Sequence, residues 1–302
     1  MEKWILDTDI GSDSDDAMAL GFVLAHKEID LLGVTTVSGN SKKRAQFAKI
    51  MCDLSNCSTP VYYGNETSVQ GDIKQGELVP WVLEAMQKYP VSEVKSDAVL
   101  FMKETIEKNP GEIVLTAIGQ FTNIAILFSA FPHIPKMLKA LVLMGGRFFD
   151  NDVCDINVWG YTEWNIKCDP FAAAMVFHNE NVCECYISGV EETCRCRYVK
   201  NIAEITKKVK DIPYMKPVLE SWKSIDGKEC VSFHDAIAIW AYLNRDKVKW
   251  HKGNVLVDVK DCDTTTTTLK PTVGGNHNLL YDLDLEEFFA DYAKTLGFTW
   301  SK

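Results

Sequence analysis

The sequence predicts an α/β protein with an open, mostly parallel (Rossmann-like) sheet and helices on both faces. Its strand-like segments are apolar throughout, as strands covered on both faces are. Most of them are followed by a helical pattern, the order that builds a parallel sheet. The chain has 302 residues and 46% hydrophobic content. No Pro/Gly/Ser-rich linker, shift of composition or internal repeat divides it, so residues 1–302 are expected to form one domain.

"KWILD" at 3–7 reads as a buried strand, and "DDAMALGFVLAHK" follows with Ala17, Leu20 and Leu24 at helical spacing. "LLGVTTVSG" is a second strand and "SKKRAQFAKIMCDL" a second helix, with Ser41 as its expected N-cap. "PVYYG" is a short third strand, and less distinct helices lie between residues 77 and 108. "EIVLTAIG" and "TNIAILFSAF" repeat the strand–helix pattern, and "ALVLMGG" is another apolar strand ending in glycine. "DPFAAAMVFHN" is a helix with Asp169 at its N-cap and Pro170 at its first position. "CECYISG" is a strand, "HDAIAIWAYLNRD" a helix, and "LEEFFADYAKTLG" a last helix closed by Gly297. The β-branched run "TTTTT" at 264–268, after "GNVLVDVK", is expected to be extended. In such a sheet ligands bind beyond the carboxyl ends of the strands. The polar clusters at 38–40, 118–123 and 144–152 should therefore meet the aspartates after the first strand.

A net charge of −10 argues against nucleic acid or an anionic membrane as partner, since both select basic surfaces. No apolar stretch is long enough to span a bilayer. "MEKWILDTD" lacks the apolar segment of a signal peptide, so the expected location is the cytoplasm. There are ten cysteines, but "CEC" and "CRC" are not C-x-x-C pairs and no zinc-finger spacing accompanies them. They are expected to be reduced thiols acting as small hydrophobes.

The chemistry concentrates in "ILDTDIGSDSDDAMAL". It places Asp7, Asp9, Asp13, Asp15 and Asp16 within ten positions at a strand-to-helix junction. Carboxylates this close raise one another's pKa or need a cation. An EF-hand loop is excluded by Gly11 at its fifth position and by the strand that precedes it. A dehalogenase-type phosphatase would use Asp7 as nucleophile and Asp9 as acid. Such enzymes usually carry Thr or Val where this chain has Gly11, and Asp15 and Asp16 would be left without a role. The third reading uses the whole cluster. Asp7 and Asp9 share a direction on an extended segment, and Asp15 and Asp16 sit in the first turn of a helix, where its dipole favours negative charge. Together they can surround a hard cation such as calcium with oxygen ligands, and an adjacent aspartate can take a proton from a bound water.

At this point the sequence resembles the inosine–uridine-type nucleoside hydrolases. That family opens with a D-x-D-x-G-x-D-D segment, and "DTDIGSDSDDA" is similar to it with two extra residues in the loop. "VTTVSGN", "IGQFTNIA", "LVLMGG", "NVWGYTEWNIKCDPFAAAMVF" and "HDAIAIWAY" resemble further family segments, in family order and across nearly the full chain. The resemblance implies the nucleoside hydrolase fold, cleavage of the N-glycosidic bond of ribonucleosides, one calcium ion per chain, and a homodimer or homotetramer. It implies that Asp9, Asp16, Asp235 and the backbone carbonyl of Ile118 are calcium ligands, and that Asp9 is also the general base. Asp15, Asn40, Glu163 and Asn165 resemble the groups that hold the ribose hydroxyls, and Asn157 the contact to the 5′-hydroxyl. Trp164 stands where the family usually has Phe, and His234 resembles the histidine that some members use to help the base depart.

Three features depart from the family. Asp13 falls in the lengthened loop, Thr193-Cys194 replaces a Thr-His pair, and "GDIKQGELVPW" lacks the family's His- and Gly-rich loop. Other classes of function remain. One is a calcium-dependent nucleoside-binding protein without turnover, and the other is the phosphatase using Asp7 and Asp9.

Overall fold

The structure, a computed structural model, describes residues 1–150, 154, 160–198, 202–209, 211–217 and 232–300. Its described strands are β1 (Glu2–Thr8), β2 (Ile29–Thr36), β3 (Val61–Tyr63), β4 (Ile113–Ala117), β5 (Ala140–Met144), β6 (Cys185–Ser188), β7 (Lys249–Asp258), β8 (Thr266–Pro271) and β9 (His277–Asp282). They form one nine-stranded sheet in the order β3-β2-β1-β4-β5-β6-β9-β7-β8. Pairing is parallel from β3 through β9, while β7 is antiparallel to both β8 and β9.

The described helices are α1 (Asp15–Ala25), α2 (Ser41–Leu54), α3 (Pro80–Met86), α4 (Ala98–Lys108), α5 (Thr122–Ala130), α6 (Trp164–Cys168), α7 (Pro170–Phe177), α8 (Val190–Thr193), α9 (Ile202–Val209), α10 (His234–Leu243) and α11 (Leu285–Thr295). Alternation along β1 divides the core between the two faces of the sheet. Trp4 and Leu6 join Phe22 of α1, Trp240 of α10 and Phe288 of α11 in one cluster. Ile5 joins Met102 of α4, Leu127 of α5 and Val176 of α7 in the other. No helix among the described residues is long and apolar enough to cross a membrane.

Two local expectations change. The N-cap of α2 is Asn40, whose side-chain oxygen accepts from Lys43 N at 3.2 Å. Ser41 is the first helical residue, and its hydroxyl donates to Gly64 O at 2.8 Å. The strand β9 also enters the sheet between β6 and β7, a place the periodicity did not assign. Asp169 caps α7 as expected, accepting from Ala172 N at 3.0 Å.

Candidate active site

The strand order 3-2-1-4-5-6 is that of a doubly wound sheet, whose winding reverses between β1 and β4. Loops leave those two strands in opposite directions and open a crevice at their carboxyl ends. Asp7 on β1 is in register with Thr35 on β2 and Ala117 on β4, so the three strands end together. A cavity of about 930 Å³ lies there, lined by Asp9, Asp15, Asp16, Ile118, Glu163 and Asp235 among others. Its size suits a small organic ligand.

Asp9 lies just past the end of β1, and the chain turns sharply after it at Gly11, with φ +108°. A Cβ at Gly11 would sit 2.8 Å from the Leu78 side chain, so this turn requires glycine. Asp15 and Asp16 open α1, and Asp235 is the second residue of α10. The carboxylate oxygens of Asp13, Asp15 and Asp16 lie within 4.8 Å of one another. Asp16 accepts from the Thr8 hydroxyl and, at 3.1 Å, from Asp9 N. Asn165 Nδ2 donates to the carbonyls of Ile118 at 2.8 Å and Met144 at 3.0 Å, which fixes the Ile118 oxygen at the cavity wall. Glu163 caps α6 and accepts from Asn165 N, Ile166 N and Gly146 N.

The electrostatics follow from burial. Removal from water is the largest cause for Asp9, Asp15, Asp16, Glu163 and Asp235, and it pushes Asp9 up to about 6 and Glu163 up to about 7. Asp15, Asp16 and Asp235 are raised well above the carboxylate range by burial and then by neighbouring aspartates. The Arg44 guanidinium lowers Asp9 and Asp16 in part. An oxygen-only set of buried carboxylates with so little counter-charge suits a hard divalent cation, and the residues therefore fit calcium.

A prediction on stability follows from the direction of these shifts. An acid whose folded pKa is raised stabilises the fold fully below its ordinary value, and loses that contribution as pH climbs through the folded value. With a chelator present, the melting temperature should fall as pH rises from about 5 to about 8, and calcium should remove most of that fall. Thermal melts at both ends of that window check it. A chelated protein that is equally stable or more stable at the alkaline end contradicts it.

Asp7 takes a different place from the one expected. It is fully buried, accepts from Thr35 Oγ1 at 2.6 Å and Asn123 Nδ2 at 2.8 Å, and is not among the residues lining the cavity. Burial pushes it up to about 7. It ties β1 to β2 and α5, and a substrate phosphate could not reach it.

The family model for inosine-uridine preferring nucleoside hydrolase matches residues 4–290. The chain belongs to that family. It is 28% identical over 285 residues to uridine nucleosidase 1 of Arabidopsis thaliana, covering 86% of this chain and 79% of that one. It is 27% identical over 313 residues to the non-specific ribonucleoside hydrolase RihC of Escherichia coli, covering 97% of each. The solved structure of an inosine-guanosine nucleoside hydrolase superposes with a TM-score of 0.80 at 20% identity, covering 99% of this chain and 100% of that one.

The hydrolase brings most of the sequence-selected residues to the cavity. Asp9, Asp15, Asp16, Ile118, Glu163, Trp164, Asn165, His234 and Asp235 all line it. Asn40 does not. Its carboxamide caps α2 and donates to Glu77 at 3.3 Å. Asn157 lies outside the described residues. His234 is buried, and its Nδ1 is 2.8 Å from the Thr193 hydroxyl, which fixes the ring. Cys194 is fully buried against Cys154 and Val190, and it stands behind Val190 rather than in the cavity lining itself.

The cavity also takes in residues that the motifs did not mark. Gln75 donates to Asp9 Oδ2 at 2.8 Å and Ser12 Oγ at 2.6 Å, and accepts from the Trp164 indole. It lies in the "GDIKQGELVPW" segment, which contributes Lys74, Gln75 and Glu77 to the cavity wall. The sequence marked that segment only as the place where the family's His- and Gly-rich loop is lacking.

Proposed function

We propose that this nucleoside hydrolase cleaves the N-glycosidic bond of ribonucleosides to free base and ribose, in a calcium-dependent reaction with Asp9 as general base. The observation that carries the reading is the convergence of Asp9, Asp15, Asp16 and Asp235 on one cavity at the sheet's winding reversal. Asp9, Asp16, Asp235 and the Ile118 carbonyl would hold the ion. When bound, calcium supplies charge that acidifies a water and a grip on the ribose 2′- and 3′-hydroxyls.

The chain's own residues do the rest. Asp9 accepts the proton of the attacking water, whose oxygen bonds to C1′. Asp15, Glu163 and Asn165 orient the sugar, and Trp164, half exposed at the rim, borders the base. The C1′–N bond breaks with its electron pair going to the base, and His234 delivers a proton to it. Orientation of water and sugar against one another is where much of the barrier reduction originates. A cytoplasmic setting, in which the cysteines stay reduced, is part of the same proposal.

A phosphatase reading is disfavoured by the burial of Asp7. Substrate selectivity tests the proposal. Uridine and inosine should release reducing sugar, and their 2′-deoxy counterparts should be poor substrates. Each missing hydroxyl leaves buried polar partners unpaired, a loss of roughly 1–3 kcal/mol per group and more for charged ones. Comparable kcat/KM for uridine and deoxyuridine contradicts the assigned ribose contacts. Binding without any product identifies a nucleoside-binding protein instead.

A further inference from the structure

We propose that Arg44 is a positioning residue of the reaction, holding the acid-bearing loop after β1, the turn after β2 and the cavity segment 75–76 in one fixed relation. Only its kinetic arm rests on the functional reading above. Arg44 lies in the first turn of α2 and is 0% exposed. An arginine is seldom buried this completely unless its donors are satisfied. Its Nε donates to Ser38 O at 2.8 Å. Its Nη1 donates to Asp9 O, to Ile10 O at 3.1 Å and to Ser12 Oγ at 2.8 Å. Its Nη2 donates to Gly76 O at 3.2 Å and to Gln75 O at 3.5 Å. One rigid fork thus reaches three separate chain segments, which a flexible ammonium with fewer donors cannot do.

The segments are also in backbone contact with one another. Asn40 N donates to Gly76 O at 3.3 Å and Val79 N to Gly11 O at 3.1 Å. A Cβ on Gly39, at φ +53°, would lie 1.9 Å from Gly76 O. Ser38 adopts φ +74°, a conformation that a non-glycine residue holds only where its surroundings impose it. Arg44 Nε grips that residue's carbonyl. Ser12 lies in the stretch where this loop exceeds the D-x-D-x-G-x-D-D pattern by two residues. Its hydroxyl accepts from both Arg44 and Gln75, and Gln75 in turn holds Asp9 Oδ2. A closed ring therefore runs from Arg44 through Ser12 and Gln75 to Asp9 and back through the Asp9 carbonyl. It fixes the direction of the Asp9 carboxylate, so its loss should act on turnover more than on substrate binding.

The test compares the full-length chain with Arg44→Lys, which keeps the charge, and with the milder Ser12→Ala, which removes the shared oxygen. Amide hydrogen exchange is read first. Arg44→Lys should speed exchange roughly tenfold at residues 9–14 and 75–79, with β4 and α10 unchanged. Steady-state kinetics on uridine and inosine come second. Arg44→Lys should lower kcat by roughly 10²-fold and Ser12→Ala by about tenfold, with KM within about threefold of the parent. Parent-like exchange in those two segments overturns the proposal, as does a rise in KM with kcat unchanged. If Arg44→Lys fails to fold, Ser12→Ala decides by the same two readouts. A parent protein that releases no sugar refutes the hydrolase reading, while the exchange result still decides the role of Arg44.

Discussion

Asp9→Ala is expected to remove turnover on every ribonucleoside. In the proposed reaction the substitution would take away the base for the attacking water and one oxygen ligand of the cation at once. Loss of a general base alone costs roughly 10²–10⁴-fold, and the metal contribution adds to it. Asp9 is 4% exposed and its Oδ2 is held by Gln75, so its carboxylate has a defined direction for another group to lose. Asp16→Ala should fail mainly through metal content, because Asp16 lies in the acid cluster and accepts from Thr8 and from Asp9 N. Reducing-sugar release and metal analysis separate the two. Wild-type turnover and metal content in both variants would mean that the centre lies elsewhere.

His234→Ala should discriminate between leaving groups. A departing purine or pyrimidine needs a proton, and histidine is the side chain whose ordinary titration range spans neutral pH. A 4-nitrophenyl riboside releases a stable anion and does not need that proton. The variant should therefore slow natural nucleosides by roughly 10²–10⁴-fold and spare the nitrophenyl riboside. Asp9→Ala should slow both, because each substrate needs the activated water. The Thr193 hydroxyl lies 2.8 Å from His234 Nδ1 and fixes the ring at the cavity wall. Equal damage to both substrates by His234→Ala points instead to a structural role beside Asp235, its neighbour in the first turn of α10. No damage to either places the acid on another residue of the cavity.

Much of this molecule could be read from its sequence for definite reasons. The strands β1, β4 and β5 are buried at nearly every position, so they stand out as apolar runs, and Asp169-Pro170 marks a helix start by its own chemistry. The acids were legible because five of them in ten positions are costly without a purpose. The resemblance then brought Asp235, Glu163 and Asn165 to the same place from far along the chain.

Other parts were hidden. Asn40 sits where a ribose contact was expected, but its side chain is used by the start of α2, a competition that one-dimensional spacing does not resolve. Asp7 looked equivalent to Asp9, yet β1 ends at Thr8, so one carboxylate is enclosed by the sheet and the other enters the cavity. β9 was missed because "HNLLYD" is short and begins with two buried polar residues, His277 and Asn278. Arg44 in "SKKRAQF" was given no role beyond its place in a helix. The helical spacing of Arg44, Phe47, Ala48 and Met51 placed it on the buried face, a signal available before any coordinates.

The proposed site is a cation-dependent N-ribohydrolase centre built on Asp9, Asp16 and Asp235. One measurement tests it most directly, the release of reducing sugar from uridine and inosine by the purified chain after chelation and again after adding calcium back. Turnover should disappear with the chelator and return with calcium. Undiminished sugar release in the chelated protein contradicts it.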